Sequence, residues 1–265
     1  MAVTPIPVCV AGAAGRMGHG IATAVLAAVD LELVGLLVEA DDPRAGRPLA
    51  GLDTPLAATA DLEALLAPGR VLVDFTAPAA TATLVTAAAR HACPFVSGAT
   101  ALAAADQAAL EQAARSIPVL HAPNMSRGIE VLGQLLARAA AVLEDFDLEI
   151  VERHHRRKAD APSGTALRLA GIAARARRQG EPTLEHGRAG RTDGGRRDGT
   201  IGVHALRGGD WVGEHDVLLA GPGETLELRH RAESRAVFAA GTLACVRFVA
   251  VAAPGRYGMA DVLQV

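Results

Sequence analysis

Lys158 is the one lysine among 26 basic residues in this 265-residue chain; the other 25 are arginines. A guanidinium stays protonated, whereas an ammonium can shift its pKa and give up a proton. Lys158 stands in the run Glu152-Arg153-His154-His155-Arg156-Arg157-Lys158-Ala159-Asp160-Ala161-Pro162-Ser163-Gly164-Thr165. A histidine titrates near neutral pH and suits general acid work. His154 and His155 are adjacent at a strand end and point to opposite sides, so at most one faces a given pocket. That geometry, with no Cys or HExxH partner, argues against a metal site. Lys158 can hold a carboxylate or deliver a proton. Pro162-Ser163-Gly164-Thr165 offers hydroxyls and N–H groups at a helix N-terminus, a cradle for a carboxylate. Together these point to reduction of a small carboxylated substrate, against a bland reading as a solvated basic turn in an Arg-rich chain.

A second constellation is Val8-Cys9-Val10-Ala11-Gly12-Ala13-Ala14-Gly15-Arg16-Met17-Gly18, read as strand, glycine turn and helix start. Small side chains let N–H groups at a helix N-terminus approach a diphosphate, and the helix dipole favours the anion. The GxxGxxG spacing varies on GxGxxG and is weak as a bare string. Its place on the first βα unit strengthens it, as does Glu39, 21 residues after Gly18 at the end of the second strand. A carboxylate there accepts from ribose hydroxyls and repels a 2′-phosphate, and Ala40-Asp41-Asp42 supplies no cation. NADH is therefore expected over NADPH, with Arg16 and Arg44 as residues that soften the bias. Asp74-Phe75-Thr76 and Gly98-Ala99-Thr100 end later strands, where a doubly wound sheet faces its ligand crevice. Pro123-Asn124-Met125-Ser126 falls at a change of pattern, a hinge and a wall for a nicotinamide.

The elements that must position these groups follow from the apolar periodicity. Ile6–Ala11, Leu31–Val38, Val71–Phe75, Phe95–Val96 and Val119–Leu120 read as strands. Helical stretches Arg16–Val29, Ala79–His91 and Ala103–Arg115 alternate with them. This is the pattern of a parallel sheet covered on both faces. After Asn124 the pattern becomes a helix from Ser126 to about Leu143, a strand Leu148–Glu152, and a helix from Ser163 to about Arg178. A loop over 181–199, strands Thr200–Leu206, Trp211–Leu219 and Thr225–His230, and a last helix Arg235–Ala252 complete it. The fold class is α/β: an N-terminal Rossmann-type doubly wound sheet plus a C-terminal α+β domain with a mixed sheet. The expected domains are 1–125, completed by 236–265, and 126–235.

Half the residues are apolar and 21% charged, the composition of a soluble globular protein. The net charge of −3 argues against a nucleic-acid binder. Residues 126–235 hold 18 Lys+Arg against 17 Asp+Glu, and the rest 8 against 12, so the central segment better suits a small anion. No secretory signal opens the chain, and no apolar run reaches the roughly 20 residues of a membrane span. Cys9, Cys93 and Cys245 lie far apart and read as buried reduced thiols of a cytoplasmic protein.

The chain resembles the 4-hydroxy-tetrahydrodipicolinate (dihydrodipicolinate) reductase family along essentially its whole length. The resemblance is carried by Gly12–Gly18, Asp74-Phe75-Thr76, Asn124 with Ser126-Arg127-Gly128, and above all His154-His155-Arg156-Arg157-Lys158-Ala159-Asp160-Ala161-Pro162-Ser163-Gly164-Thr165-Ala166. Gly199-Thr200-Ile201-Gly202, Gly209-Asp210, Val212-Gly213-Glu214-His215 and Asp261-Val262-Leu263 add to it. It implies a homotetramer that uses NADH or NADPH to reduce the cyclic product of pyruvate and aspartate semialdehyde, on the diaminopimelate route to lysine. Gly12, Ala13, Ala14, Gly15, Arg16 and Met17 would cradle the diphosphate, and Glu39 the ribose. Gly98, Ala99 and Thr100, with Pro123, Asn124, Met125 and Ser126, would line the nicotinamide. His154 would move the proton, with Lys158 a second donor, while His155, Gly164 and Thr165 would bind substrate. Hydride would add at ring C4 of a conjugated imine, and protonation at C3 would follow. Three positions depart from the family pattern: the usual GTTG reads Gly98-Ala99-Thr100-Ala101, the hinge aromatic is Met125, and the basic residue after the ribose carboxylate is Ala40. The rivals are another two-domain nicotinamide dehydrogenase of amino or hydroxy acids, and an NADH-sensing regulator without turnover.

Overall fold

A computed structural model describes residues 4–191 and 194–264. Thr192 and Asp193 of the expected loop, and the outermost residues of the expected first domain, lie outside the described residues. The chain forms two compact units, one running to Arg127 and resuming at Arg235, the other Gly128–Ser234.

In the first unit, β1 (Ile6–Ala11), β2 (Leu31–Leu37), β3 (Val71–Asp74), β4 (Phe95–Ser97), β5 (Pro118–His121) and β11 (Gly255–Tyr257) form one sheet in the order β11-β5-β4-β3-β1-β2. Every pairing in it is parallel. The strands alternate between two apolar faces: Val8, Val10, Val71 and Val73 join one core, Cys9, Ala11 and Leu72 the other. A strand apolar on both faces needs cover on both. Helices α1 (Arg16–Leu26), α2 (Pro78–Arg90), α3 (Ala104–Ala113), α6 (Ala236–Val249) and the short α7 (Met259–Leu263) accompany this sheet. Strand order reverses between β1 and β3, where doubly wound sheets open a ligand crevice. Beyond β2, a bridge at Leu37–Thr59 extends the sheet by one residue pair. A 3₁₀ turn at Glu63–Leu65, β11 and α7 were not read from the sequence, being too short for periodicity to show.

In the second unit, β6 (Asp147–His154), β7 (Thr183–Glu185), β8 (Thr200–Arg207), β9 (Gly213–Gly221) and β10 (Glu224–Ala232) form a mixed sheet ordered β10-β9-β6-β8-β7. β6 is parallel to β8 and antiparallel to β9. Leu148, Ile150, Ile201, Val203, Val217 and Leu219 bury one face with Leu132 and Leu136 of α4 (Arg127–Val142) and Leu169 and Ala173 of α5 (Gly164–Ala176). The other face carries charge pairs, among them Arg153–Asp216 at 2.6 Å and His204–Glu149 at 2.7 Å. Strand β7 lies inside the expected loop, and β9 starts at Gly213 rather than Trp211. The last long helix is also shorter than expected, ending at Val249.

Candidate active site

In the first unit, the turn after β1 borders a cleft of about 390 Å³ lined also by Glu39, Asp42 and Arg44 beyond β2, Phe75 and Thr76 beyond β3, and Ala80 and Leu84 of α2. Gly12 has φ +74°, a conformation glycine adopts without steric cost, and a Cβ there would meet the Phe75 carbonyl at 2.6 Å. A Cβ at Gly18 would meet the Gly12 oxygen at 2.2 Å, so the helix seats directly on the turn. Gly15 caps α1 without a side-chain hydrogen bond, and its first turn holds no acidic residue. An uncapped helix start with no carboxylate beside it favours an anion, so these residues fit a dinucleotide's diphosphate.

The strand ends beyond that cleft are tied down internally. The buried Asp74 carboxylate accepts from Thr76 Oγ1 at 2.6 Å, and from Thr81 Oγ1 and Ser97 Oγ at 2.9 Å each. It braces β3 against β4 rather than facing a ligand. A Cβ on Gly98 would strike the Phe75 ring at 2.3 Å, which is why glycine stands there.

In the second unit, the chemistry collects on the core-facing side of the mixed sheet. Along β6 that side reads Leu148, Ile150, Glu152, His154; along β8 it ends at Arg207, and along β9 it begins with Gly213 and His215. Polar groups continue an apolar stripe at the strand ends. His154 Nδ1 lies 2.6 Å from Glu152 Oε2. Arg207 donates to both Glu152 oxygens at 2.8 Å, and the Ser163 N–H donates to Oε1 at 2.9 Å. Burial alone would raise the Glu152 carboxyl; the bonds from His154 and Arg207, the His154 charge and the Ser163 N–H together hold it at about 2. The carboxylate thus stays ionised although it is fully buried.

His215 packs edge-on against His154, with ring centroids 5.4 Å apart, and its Nε2 lies 3.2 Å from Ser163 Oγ. Burial pushes the His215 pKa down, and the His154 charge adds to it despite Glu152, to about 3; the ring is neutral at physiological pH. A Cβ at Gly213 would come within 3.1 Å of His154 Nε2. Lys158 Nζ pairs with Asp160 Oδ1 at 2.8 Å. Ser163 Oγ caps α5 by accepting from the Ala166 N–H at 3.2 Å. The Ser163 hydroxyl and N–H therefore serve the fold, a correction to their reading as part of an open cradle. Space above Gly164 is open, with no atom within 4 Å of where a Cβ would sit.

The structure brings Gly12, Ala14, Gly15 and Glu39 to one cleft. Ala13 is buried in the turn. Arg16 and Met17 line a separate groove between α1 and α6. Gly98, Ala99 and Thr100 follow β4, with Ala99 buried and Thr100 exposed, outside the cleft lining. Pro123, Asn124, Met125 and Ser126 follow β5; the Ser126 N–H donates to Asn124 Oδ1 at 2.9 Å. Met125 is 2% exposed, with its thioether accepting from Thr242 Oγ1 at 3.0 Å and its carbonyl filling the space a Cβ on Gly241 would need. The side chain expected as a cofactor wall is thus core packing. Glu152, Arg207 and His215 had no roles in the sequence reading. For Glu152 a signal existed, since alternate residues of a strand share a face.

Two family models match the chain: dihydrodipicolinate reductase, N-terminus, over residues 6–125, and dihydrodipicolinate reductase, C-terminus, over residues 128–263. The chain is 44% identical to a 4-hydroxy-tetrahydrodipicolinate reductase from Ruegeria pomeroyi, covering 98% of this chain and 99% of that one. It is also 44% identical to the enzyme of that name from Rubrobacter xylanophilus, with 98% of each chain covered. Among solved structures, a dipicolinate-bound dihydrodipicolinate reductase from Paenisporosarcina sp. TG-14 superposes with a TM-score of 0.76 at 25% identity, over 97% of this chain and 99% of that one.

Proposed function

The chain belongs to the dihydrodipicolinate reductase family, and from that premise we propose how its own residues divide the work of an NAD(P)H-dependent reductase. The reaction is reduction of 4-hydroxy-tetrahydrodipicolinate to tetrahydrodipicolinate, on the diaminopimelate route to lysine; the 4-hydroxyl leaves as water, and a hydride and a proton are added to the ring. Gly12 to Met17 hold the diphosphate of the cofactor, Arg16 and Met17 through the backbone of the helix start, and Glu39 holds its ribose diol; Gly98 to Thr100 and Pro123 to Ser126 flank its nicotinamide, Met125 through its backbone. When bound, that cofactor supplies hydride. NADH is preferred, because Glu39 accepts from a diol and Ala40 brings no charge to a 2′-phosphate.

What remains for the protein is to hold a cyclic dicarboxylate and to deliver a proton to a ring carbon. The observation that carries this reading is the buried Glu152–His154 pair, 2.6 Å apart, in the segment that also bears Lys158. With Nδ1 committed to Glu152, Nε2 is the atom of His154 that exchanges a proton with substrate. Glu152 acts through His154 as a positioning residue: it sets the ring orientation and stabilises the imidazolium. Lys158 binds a substrate carboxylate and is a second proton donor, while His155, Gly164 and Thr165 bind substrate. The protein is a homotetramer of the cytoplasm. The exposed Leu206 and Leu226 on the mixed sheet and three free, buried cysteines support that placement.

The test is a coupled assay that makes the unstable substrate in situ from pyruvate and aspartate semialdehyde and follows NADH consumption. His154→Gln is expected to lower kcat by roughly 10²–10⁴, the usual worth of general acid catalysis, with NADH binding retained. Glu152→Gln is expected to lower kcat with the substrate KM nearly unchanged, because the His154 ring loses the partner that orients it. A His154→Gln enzyme with wild-type kcat would remove His154 as the donor. A Glu152→Gln enzyme with wild-type kcat, or one whose loss lies wholly in KM, would leave Glu152 a structural anchor only.

A further inference from the structure

Arg44 is the one cation among the described residues lining the cleft of the first unit, and it is already taken. Asp42, Pro43 and Arg44 form a tight turn beyond β2 in which the Asp42 carboxylate accepts three hydrogen bonds from Arg44. The Arg44 backbone N–H and Nε reach Oδ1 at 2.9 and 2.8 Å, and Nη2 reaches Oδ2 at 2.6 Å. Nη1 extends to the Ala14 carbonyl of the glycine turn at 3.3 Å. The guanidinium therefore spans from the loop beyond β2 to the diphosphate turn, along the wall that Glu39 shares. Proline presets the turn, so little chain entropy opposes the pair. The Arg44 side chain and N–H hold the Asp42 carboxyl down at about 2, so the carboxylate is ionised at neutral pH.

A guanidinium fork fits a carboxylate and a phosphate equally well, and one edge cannot serve both. The Nε–Nη2 edge is the one Asp42 occupies. With Asp42 in place the pair is neutral, and Glu39 leaves this end of the cleft negative. Without Asp42, the same guanidinium would be an unpaired cation beside the ribose carboxylate. We propose that Asp42 is a specificity-determining residue: by holding Arg44 in a two-pronged pair, it withholds the guanidinium from a 2′-phosphate and thereby sets the preference for NADH over NADPH. This rests on the cofactor reading above and names the residue that enforces it. Arg16, the other cation near the turn, lines a different groove and is not a competing candidate.

The test measures binding rather than turnover, using the full chain and two adenosine fragments. Calorimetric dissociation constants for 5′-AMP and 2′,5′-ADP are compared in the wild type, Asp42→Ala and Asp42→Ala/Arg44→Ala. The wild type should bind 2′,5′-ADP no better than 5′-AMP. In Asp42→Ala the ratio should shift toward 2′,5′-ADP by about tenfold or more, as expected for a newly made charged hydrogen bond. The double variant should lose that shift. Asp42→Asn should fall between, since the amide keeps the turn but not the charge. An Asp42→Ala protein that binds both fragments in the wild-type ratio overturns the proposal. So does a double variant that keeps the full shift, because Arg44 would then have no part in it. A wild type that binds neither fragment nor NADH removes the cofactor reading itself, and this inference with it; that failure is distinct from an unchanged ratio.

Discussion

Lys158 can be tested in isolation because no other side chain of the chain carries an amine. An amine-directed reagent meets only the α-amino group and Lys158. Reductive methylation is expected to abolish turnover in proportion to modification at Lys158, mapped by peptide analysis, and pyridine-2,6-dicarboxylate with NADH should protect it. Lys158→Arg should not rescue activity: the guanidinium keeps the charge and the partner Asp160, but donates no proton and needs a wider planar site. A wild-type rate after full modification would make the lone lysine a matter of composition. His215 carries a different consequence. Its folded pKa of about 3 lies below the ordinary value of 6.5. Between those values the unfolded chain binds a proton that the folded chain does not. Stability is thus fully present above about pH 6.5 and falls on acidification, by at most about 1.4 kcal/mol per pH unit. Urea unfolding at pH 7.5 and 5.5 should show the loss, and His215→Gln should shrink it; an equal loss in the variant would assign it to other groups.

Strand β6 shows how one element makes both core and site. Its even-numbered residues pass from Leu148 and Ile150, buried in the apolar cluster, to Glu152 and His154, without a change of face. The period-2 pleat that buries the first pair obliges the second pair to share a side. The turn after β4 carries a cost instead. Ala101, where the family pattern has glycine, sits at φ +56°. A left-handed conformation costs an L-residue roughly 1–2 kcal/mol, partly offset by the backbone entropy a glycine would lose. Ala101→Gly is expected to raise stability by about 0.5–1 kcal/mol, read as a higher denaturation midpoint at unchanged slope. A lowered midpoint would show that neighbouring contacts absorb the strain.

At the scale of the whole chain, the family boundary and the structural one diverge in an informative way. The C-terminal family segment runs from 128 to 263, yet the chain from Arg235 onward folds with the first unit. Helix α6 supplies Leu243, Val246 and Val249 to the core that β1 and α1 build, and Arg247 pairs with Asp30 at 2.7 Å. The first unit is therefore closed by residues that follow the second unit along the chain. The second unit leaves one face of its sheet carrying charge pairs with Leu206 exposed among them, while the exposed Leu226, opposite Leu219, lies at the edge of the other face. On the tetramer reading, sedimentation equilibrium should give about four chain masses, and Leu226→Asp with Leu206→Asp should lower that mass. A wild-type monomer at micromolar concentration would set the reading aside.

The sequence alone determined whatever rests on neighbours within one element or one turn. Gly12 to Gly18 declares a tight strand-to-helix turn, and His154, Lys158 and the Ser163 helix cap lie within one short stretch. Alternating apolar runs were enough for a parallel sheet covered on both faces, because strand and helix periods are local properties. Tertiary structure decided which distant side chains complete the site. Arg207 reaches Glu152 across 55 residues, and His215 reaches Ser163 across 52, because β8 and β9 both flank β6. Asp42 and Arg44 are two residues apart, yet their pairing matters only because the glycine turn, thirty residues earlier, lies against the same guanidinium. Strand order is settled by burial and ladder pairing over the whole chain, and no local periodicity encodes it.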